Sequence, residues 1–113
     1  MSDRVYTPDV WVVVEFTGTE VPETYRRVLA GWYGGFAGSN SWKMSSGIVE
    51  TIDHGDYIDF INESGSVYRC GKGLERYSML TQSVFASYAC QNDDRISVQR
   101  VDYGCGSTVK LDE

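Results

Sequence analysis

Positive charge is scarce in this chain. Ten Lys and Arg stand against sixteen Asp and Glu in 113 residues, a formal net charge of −6. So acidic a chain is repelled by nucleic-acid backbones unless a local patch overrides the total, and general DNA or RNA binding is not expected. Histidine occurs once, at His54, and cysteine three times, at Cys70, Cys90 and Cys105. An odd, irregularly spaced set without a CxxC pair makes a poor disulfide framework. A zinc site would be short of ligands, so neither metal nor cofactor is expected. No apolar run approaches the roughly 18–20 residues that cross a bilayer. The segment "MSDRVYTPD" has no apolar core of the secretory-signal kind. The expectation is a cytoplasmic protein with no membrane partner.

What remains suits one folded domain spanning residues 1–113. Hydrophobic residues at 42% and charged residues at 23% fit a folded chain rather than a disordered one. A chain of this length buries a real core without staples. Neither an internal repeat nor a low-complexity tract is present.

"DVWVVVEF" (9–16) is β-branched and aromatic, bounded by Pro8 and "TGTEVPET", and reads as a strand. Val10, Val12, Val14 and Phe16 share one face; Trp11, Val13 and Glu15 share the other. Apolar residues on both faces predict a central strand. "YRRVLAGWY" (25–33) reads as its partner across a loop containing Gly18 and Pro22. "GIVETID" and "DYIDFIN" around His54-Gly55 form a hairpin signal, and "VYRC" follows as a further short strand. In 76–89 the period changes, with Tyr77, Leu80, Thr81, Val84, Phe85 and Tyr88 at helical spacing. "RISVQRVDY" (95–103) returns to alternation, and the polar tail after Gly104 is expected to be loose. The predicted class is α+β, mostly β: a twisted antiparallel sheet or half-barrel of five to six strands with one short helix.

Catalytic chemistry finds little to work with. Cys70 with His54 is the one Cys–His combination, and a nucleophile needs its base within hydrogen-bond reach. A buried strand cysteine and an exposed turn histidine explain the same residues, so no enzyme is expected. Glu50, Asp53, Asp56, Asp59 and Glu63 crowd one hairpin, with no Lys or Arg between Lys43 and Arg69. That run is either a solvated acidic face or a surface that docks on a basic partner, imitating nucleic acid.

Two other segments are basic islands. In "GWYGGFAGSNSWKMSSG" (31–47), Trp32, Tyr33 and Trp42 flank Gly34, Gly35 and Gly38, with Lys43, Ser45 and Ser46 following. In "SGSVYRCGKG" (64–73), Ser64, Ser66, Tyr68, Arg69 and Lys72 sit among glycines. Glycine lets backbone N–H groups turn toward an anion, aromatic faces stack on bases, and Lys or Arg supplies charge-assisted contacts to phosphate. The expected ligand is a small phosphorylated nucleotide-like molecule, stacked by Trp32, Tyr33 and Trp42 and held by the basic and hydroxyl side chains. The same clusters also serve as tight β-turns whose aromatics cover a sheet end. Neither segment matches a P-loop.

At these residues the chain resembles a group of small uncharacterised bacteriophage-encoded proteins. The shared pattern runs over about residues 8–80: "VLAGWYGG", then Ser-Trp-Lys and Ser-Gly-Ile, an acidic hairpin, and "SGSVYRC". The resemblance implies a task in countering host defence, in the cytoplasm of an infected bacterium. One form of that task is sequestration of a nucleotide signal in a pocket. The alternative is inhibition of a host defence protein or nucleic-acid-binding enzyme through the acidic hairpin. Exposed aromatics often pair across subunits, which makes a homo-oligomer an option.

Overall fold

Val10 to Thr17 form the strand on which everything else is built. The computed structural model describes residues 4–34 and 40–104. The tail expected to be loose, Cys105 within it, and Gly35 and Gly38 lie outside the described residues. Among the described residues, eight strands divide between two sheets. The first has the order β1 (Val5–Tyr6), β7 (Val67–Gly71), β6 (Tyr57–Asn62), β5 (Ile48–Asp53). The second has the order β4 (Ser41–Met44), β3 (Tyr25–Trp32), β2 (Val10–Thr17), β8 (Ser97–Val101). Among the described residues one helix, α1 (Met79–Ala89), follows a 3-10 turn at Lys72–Leu74.

The class is α+β and mostly β, as the alternation predicts. The strands do not curl into one half-barrel, and the reason lies in β2. Its two faces are both apolar, and each needs a cover. Trp11 and Val13 join Val28 and Ala30 of β3 against Ile58, Phe60, Tyr68 and Cys70 of the first sheet. Val12, Val14 and Phe16 join Leu29 and Val98 under Val84 and Phe85 of α1. The result is three layers, with the second sheet in the middle.

The helix begins at Met79, three residues after the start of the 76–89 segment, because a capping box at Ser78 decides it. The Thr81 amide donates to the Ser78 hydroxyl at 3.0 Å, and the Ser78 amide donates to the Thr81 hydroxyl at 2.8 Å. The two satisfy orphan donors of the first turn. Gly31 makes room for them: a Cβ there would lie 2.8 Å from Thr81 Cγ2 and 3.2 Å from Ser78 Oγ.

Two inward-facing acids of β7 make the fold sensitive to alkali. Burial pushes the Tyr68 hydroxyl up to about 12 and also raises the Cys70 thiol, with the Asp59 charge adding to it. In the unfolded chain these groups ionise near 10 and about 8.5. Below those values both states are neutral and the stability is complete. Above them the unfolded chain gains by losing protons that the folded chain retains, and stability falls until the folded values are reached. The urea midpoint is therefore expected to drop steadily between about pH 9 and 11. An unchanged midpoint at the upper end would show that Tyr68 and Cys70 ionise freely in the folded protein.

Candidate functional site

β1 is only two residues long, yet it sets the site. It runs parallel to β7, placing Tyr6 beside Tyr68, and the Val67 amide donates to the Arg4 carbonyl at 2.7 Å. The turn between β6 and β7 closes with the Gly65 amide donating to the Asn62 carbonyl at 2.8 Å. Gly65 has φ +93° there, a conformation that a residue without Cβ adopts at low cost. Buried Asn62 donates to the Ser66 carbonyl at 3.1 Å and to the Phe60 carbonyl at 3.2 Å, fixing the turn from beneath. The link from β4 to β5 then approaches: the Glu63 amide donates to the Gly47 carbonyl at 2.9 Å.

This approach joins the two basic islands. The Ser46 hydroxyl donates to the Ser64 hydroxyl at 3.0 Å, and the Ser64 and Ser66 hydroxyls are 3.1 Å apart. An open cleft of about 400 Å³ lies here, lined by Arg4, Tyr6 and Lys43 together with the serines. Gly65 and Tyr68 also line it. Arg4 Nη1 donates to the Tyr6 hydroxyl at 3.3 Å, and this bond holds the Tyr6 pKa below its ordinary value. Lys43 Nζ lies 5.5 Å from the centre of the Tyr6 ring, a cation–π distance. Among the described lining residues there are two cations and no carboxylate. Within a chain of net charge −6, that local balance is the feature that defines the site.

Lys43, Ser45, Ser46, Ser64, Ser66 and Tyr68 of the expected ligand set thus meet on one cleft. Ser45 is already committed: its hydroxyl accepts from the Val28 amide at 2.8 Å and donates to the Ser46 carbonyl at 2.7 Å. It braces the wall and has no proton left to donate to a ligand.

The other five lie elsewhere. Trp32 stands behind Tyr6, edge-on at 6.3 Å, with its indole N–H donating to the Thr7 carbonyl at 3.1 Å. Tyr33 is exposed beyond the end of β3, its amide bound to the Asp9 carboxylate. Trp42 neighbours Lys43 on a strand and so faces the opposite layer, the helix side, across from Gly31. The same alternation takes Arg69 away from Tyr68 to the outer face of the first sheet. There it grips Asp59 with two hydrogen bonds, at 3.0 and 3.1 Å. Lys72 pairs with Asp53 at 2.9 Å.

These pairs also change the acidic hairpin. Asp59 is buried, held by Arg69 and with His54 Nε2 at 3.2 Å. Lys72 and the Gly55 amide lower the Asp53 pKa. Glu50, Asp56 and Glu63 remain exposed, without ion pairs among the described residues. The run is therefore partly a cross-strand network and partly a solvated face. Cys70 points into the core while His54 attends Asp59 on the outer face, so the sheet separates the two.

Arg4 and Tyr6 were not legible as site residues. Their segment is short, carries Asp9 and Pro8 nearby, and has no local pattern pointing to a partner some sixty residues away. No helix among the described residues is long and apolar enough to cross a membrane. No family model, curated protein or solved structure matches this chain.

Proposed function

We propose that this protein captures a small phosphorylated nucleotide-like ligand in the cleft between Arg4, Lys43 and the serines, and acts by sequestration rather than turnover. The observation that carries the reading is the charge balance of the cleft, cationic and hydroxyl-lined in an acidic protein. Arg4 and Lys43 supply the attraction for phosphate, and Ser46, Ser64 and Ser66 supply short, directed donors. The volume suits a ligand of one nucleotide or less. In an infected bacterium, lowering the free concentration of a signalling nucleotide would counter host defence, as the resemblance to phage proteins implies. Docking of the hairpin on a host protein is the alternative, and it has Glu50, Asp56 and Glu63 as its available charges.

The test is capture itself. Protein purified from cells with an active nucleotide-based defence is denatured, and the released small molecules are identified by mass spectrometry. A phosphorylated ligand at close to one per site is expected. A charge-assisted hydrogen bond contributes about 1.5–3 kcal/mol, so Lys43→Ala and Arg4→Ala should each weaken binding by about tenfold or more. Glu50→Lys and Asp56→Lys should leave it intact. Release of no ligand from cells verified to contain the signal, with both cation variants equivalent to wild type, would reject the reading.

A further inference from the structure

The cleft is rich in hydroxyls and cations but has no aromatic face to spare. Two aromatic residues line it among those described, Tyr6 and Tyr68. Tyr68 is 1% exposed and packs against Tyr6 with ring centres 4.9 Å apart. The Tyr6 ring is in turn approached by Tyr68, by the edge of Trp32 and by Lys43 Nζ, and its hydroxyl is held by Arg4. Stacking a base on Tyr6 would mean stripping away contacts that the ring already makes. Trp42, with the larger exposed face, lies on the other side of β4.

The polar groups carry the same message. Reading a base edge takes donors and acceptors fixed in complementary pairs, such as the amide of Asn or Gln or a carboxylate. None lines the cleft among the described residues. Hydroxyls are different: each both donates and accepts, and rotates to suit its partner. Ser46, Ser64 and Ser66 form a chain at 3.0 and 3.1 Å. Such a chain can turn its protons toward phosphate oxygens, which only accept, or share them with sugar hydroxyls.

Resting on the capture reading, we infer that the cleft recognises the phosphate and sugar of its ligand and leaves the base in solvent. Its ligand class is a five-carbon sugar phosphate, with or without a base attached. Affinity resides in the phosphate, held by Arg4 and Lys43. Orientation comes from the serines and the neighbouring turn. Bases are not discriminated.

The experiment is calorimetric titration of the full chain with ribose 5-phosphate, with the four ribonucleoside 5′-monophosphates and with adenosine. Ribose 5-phosphate and all four nucleotides are expected to bind within about threefold of one another, and adenosine at least about thirtyfold more weakly. Ser64→Ala, with its melting temperature measured in parallel, should weaken all five phosphates by a common factor. Trp42→Ala should weaken none. A preference of about tenfold or more for one base overturns the inference and leaves capture standing, whereas adenosine binding as well as its monophosphate overturns both, because the phosphate then adds nothing. Failure of every phosphate to bind overturns this inference and the capture reading with it.

Discussion

Replacing Trp11 by alanine is expected to remove about 3–5 kcal/mol of folding stability, the range for a large aromatic truncated in a core. Trp11 is completely buried. It lies 5.5 Å from Phe60 and 6.2 Å from Tyr103, ring centre to ring centre, and so joins the middle sheet to the first one. Its indole N–H donates to the Gly71 carbonyl at 2.7 Å, at the point where β7 passes into the 3-10 turn. The substitution therefore opens a cavity and strips a donor from a carbonyl at once. Against a total of about 5–15 kcal/mol for an ordinary domain, the loss would leave much of the protein unfolded at modest urea. Trp11→Phe separates the two contributions. It retains most of the apolar volume but leaves the carbonyl without its donor, so a loss of about 1–3 kcal/mol is expected. Urea denaturation of the three proteins measures both. Equal losses for alanine and phenylalanine would show that the hydrogen bond, not the packing, holds the layers together.

Gly18→Ala is expected to be nearly as damaging although it adds a single methyl group. Gly18 has φ +134°, and a Cβ there would lie 2.1 Å from the Arg95 carbonyl oxygen and 2.5 Å from its carbon. Those are backbone atoms and cannot rotate aside. The loop they belong to is tied to the same segment, with the Thr19 amide donating to the Asp94 carbonyl and the Glu20 amide to the Arg95 carbonyl. Relieving the clash means giving up those bonds, and strain plus overpacking together should cost about 3 kcal/mol or more. Gly55 supplies the control. It too has positive φ, at +98°, but nothing lies within 4 Å of its would-be Cβ. Gly55→Ala should thus show the conformational penalty alone, about 1–2 kcal/mol. Thermal melts of the pair isolate the steric part, and indistinguishable melting temperatures would mean that the 93–96 loop yields freely.

Both positions are glycine or aromatic within segments that looked ordinary in sequence, which marks where local reading stops. The strands β2, β3, β5, β6, β7 and β8 and the helix are legible because each carries its own period. Alternation in Val10–Phe16 even predicts a central strand, since only a strand covered on both sides keeps two apolar faces. Ser78 and Thr81 carry the signal that would have placed the helix start, a cap three residues before its partner. By contrast β1 and β4 are two and four residues long, too short to show a period, and β4 is hidden in a glycine-rich run. Without them a second sheet has no visible edge.

The candidate site divides along the same line. Residue types were readable: serine, lysine and glycine in two segments close to aromatics, within a chain poor in positive charge. Their assignment to one cleft was not, because strand alternation separates neighbours in sequence. It sends Tyr68 inward and Arg69 outward, and sets Lys43 and Trp42 on opposite layers. Cross-strand pairing then decides each cation's role: Arg69 and Lys72 meet Asp59 and Asp53, whereas Arg4 and Lys43 meet no carboxylate among the described residues and stay available. By itself the sequence determined the class of fold, the central strand and the kinds of group available for chemistry, since periodicity and composition are local properties. Tertiary structure alone decided that there are two sheets, that β1 reaches β7, and that Arg4 and Tyr6 complete the cleft. Those outcomes depend on which distant strand a segment pairs with, and that choice is made by covering both faces of β2 rather than by any neighbour along the chain.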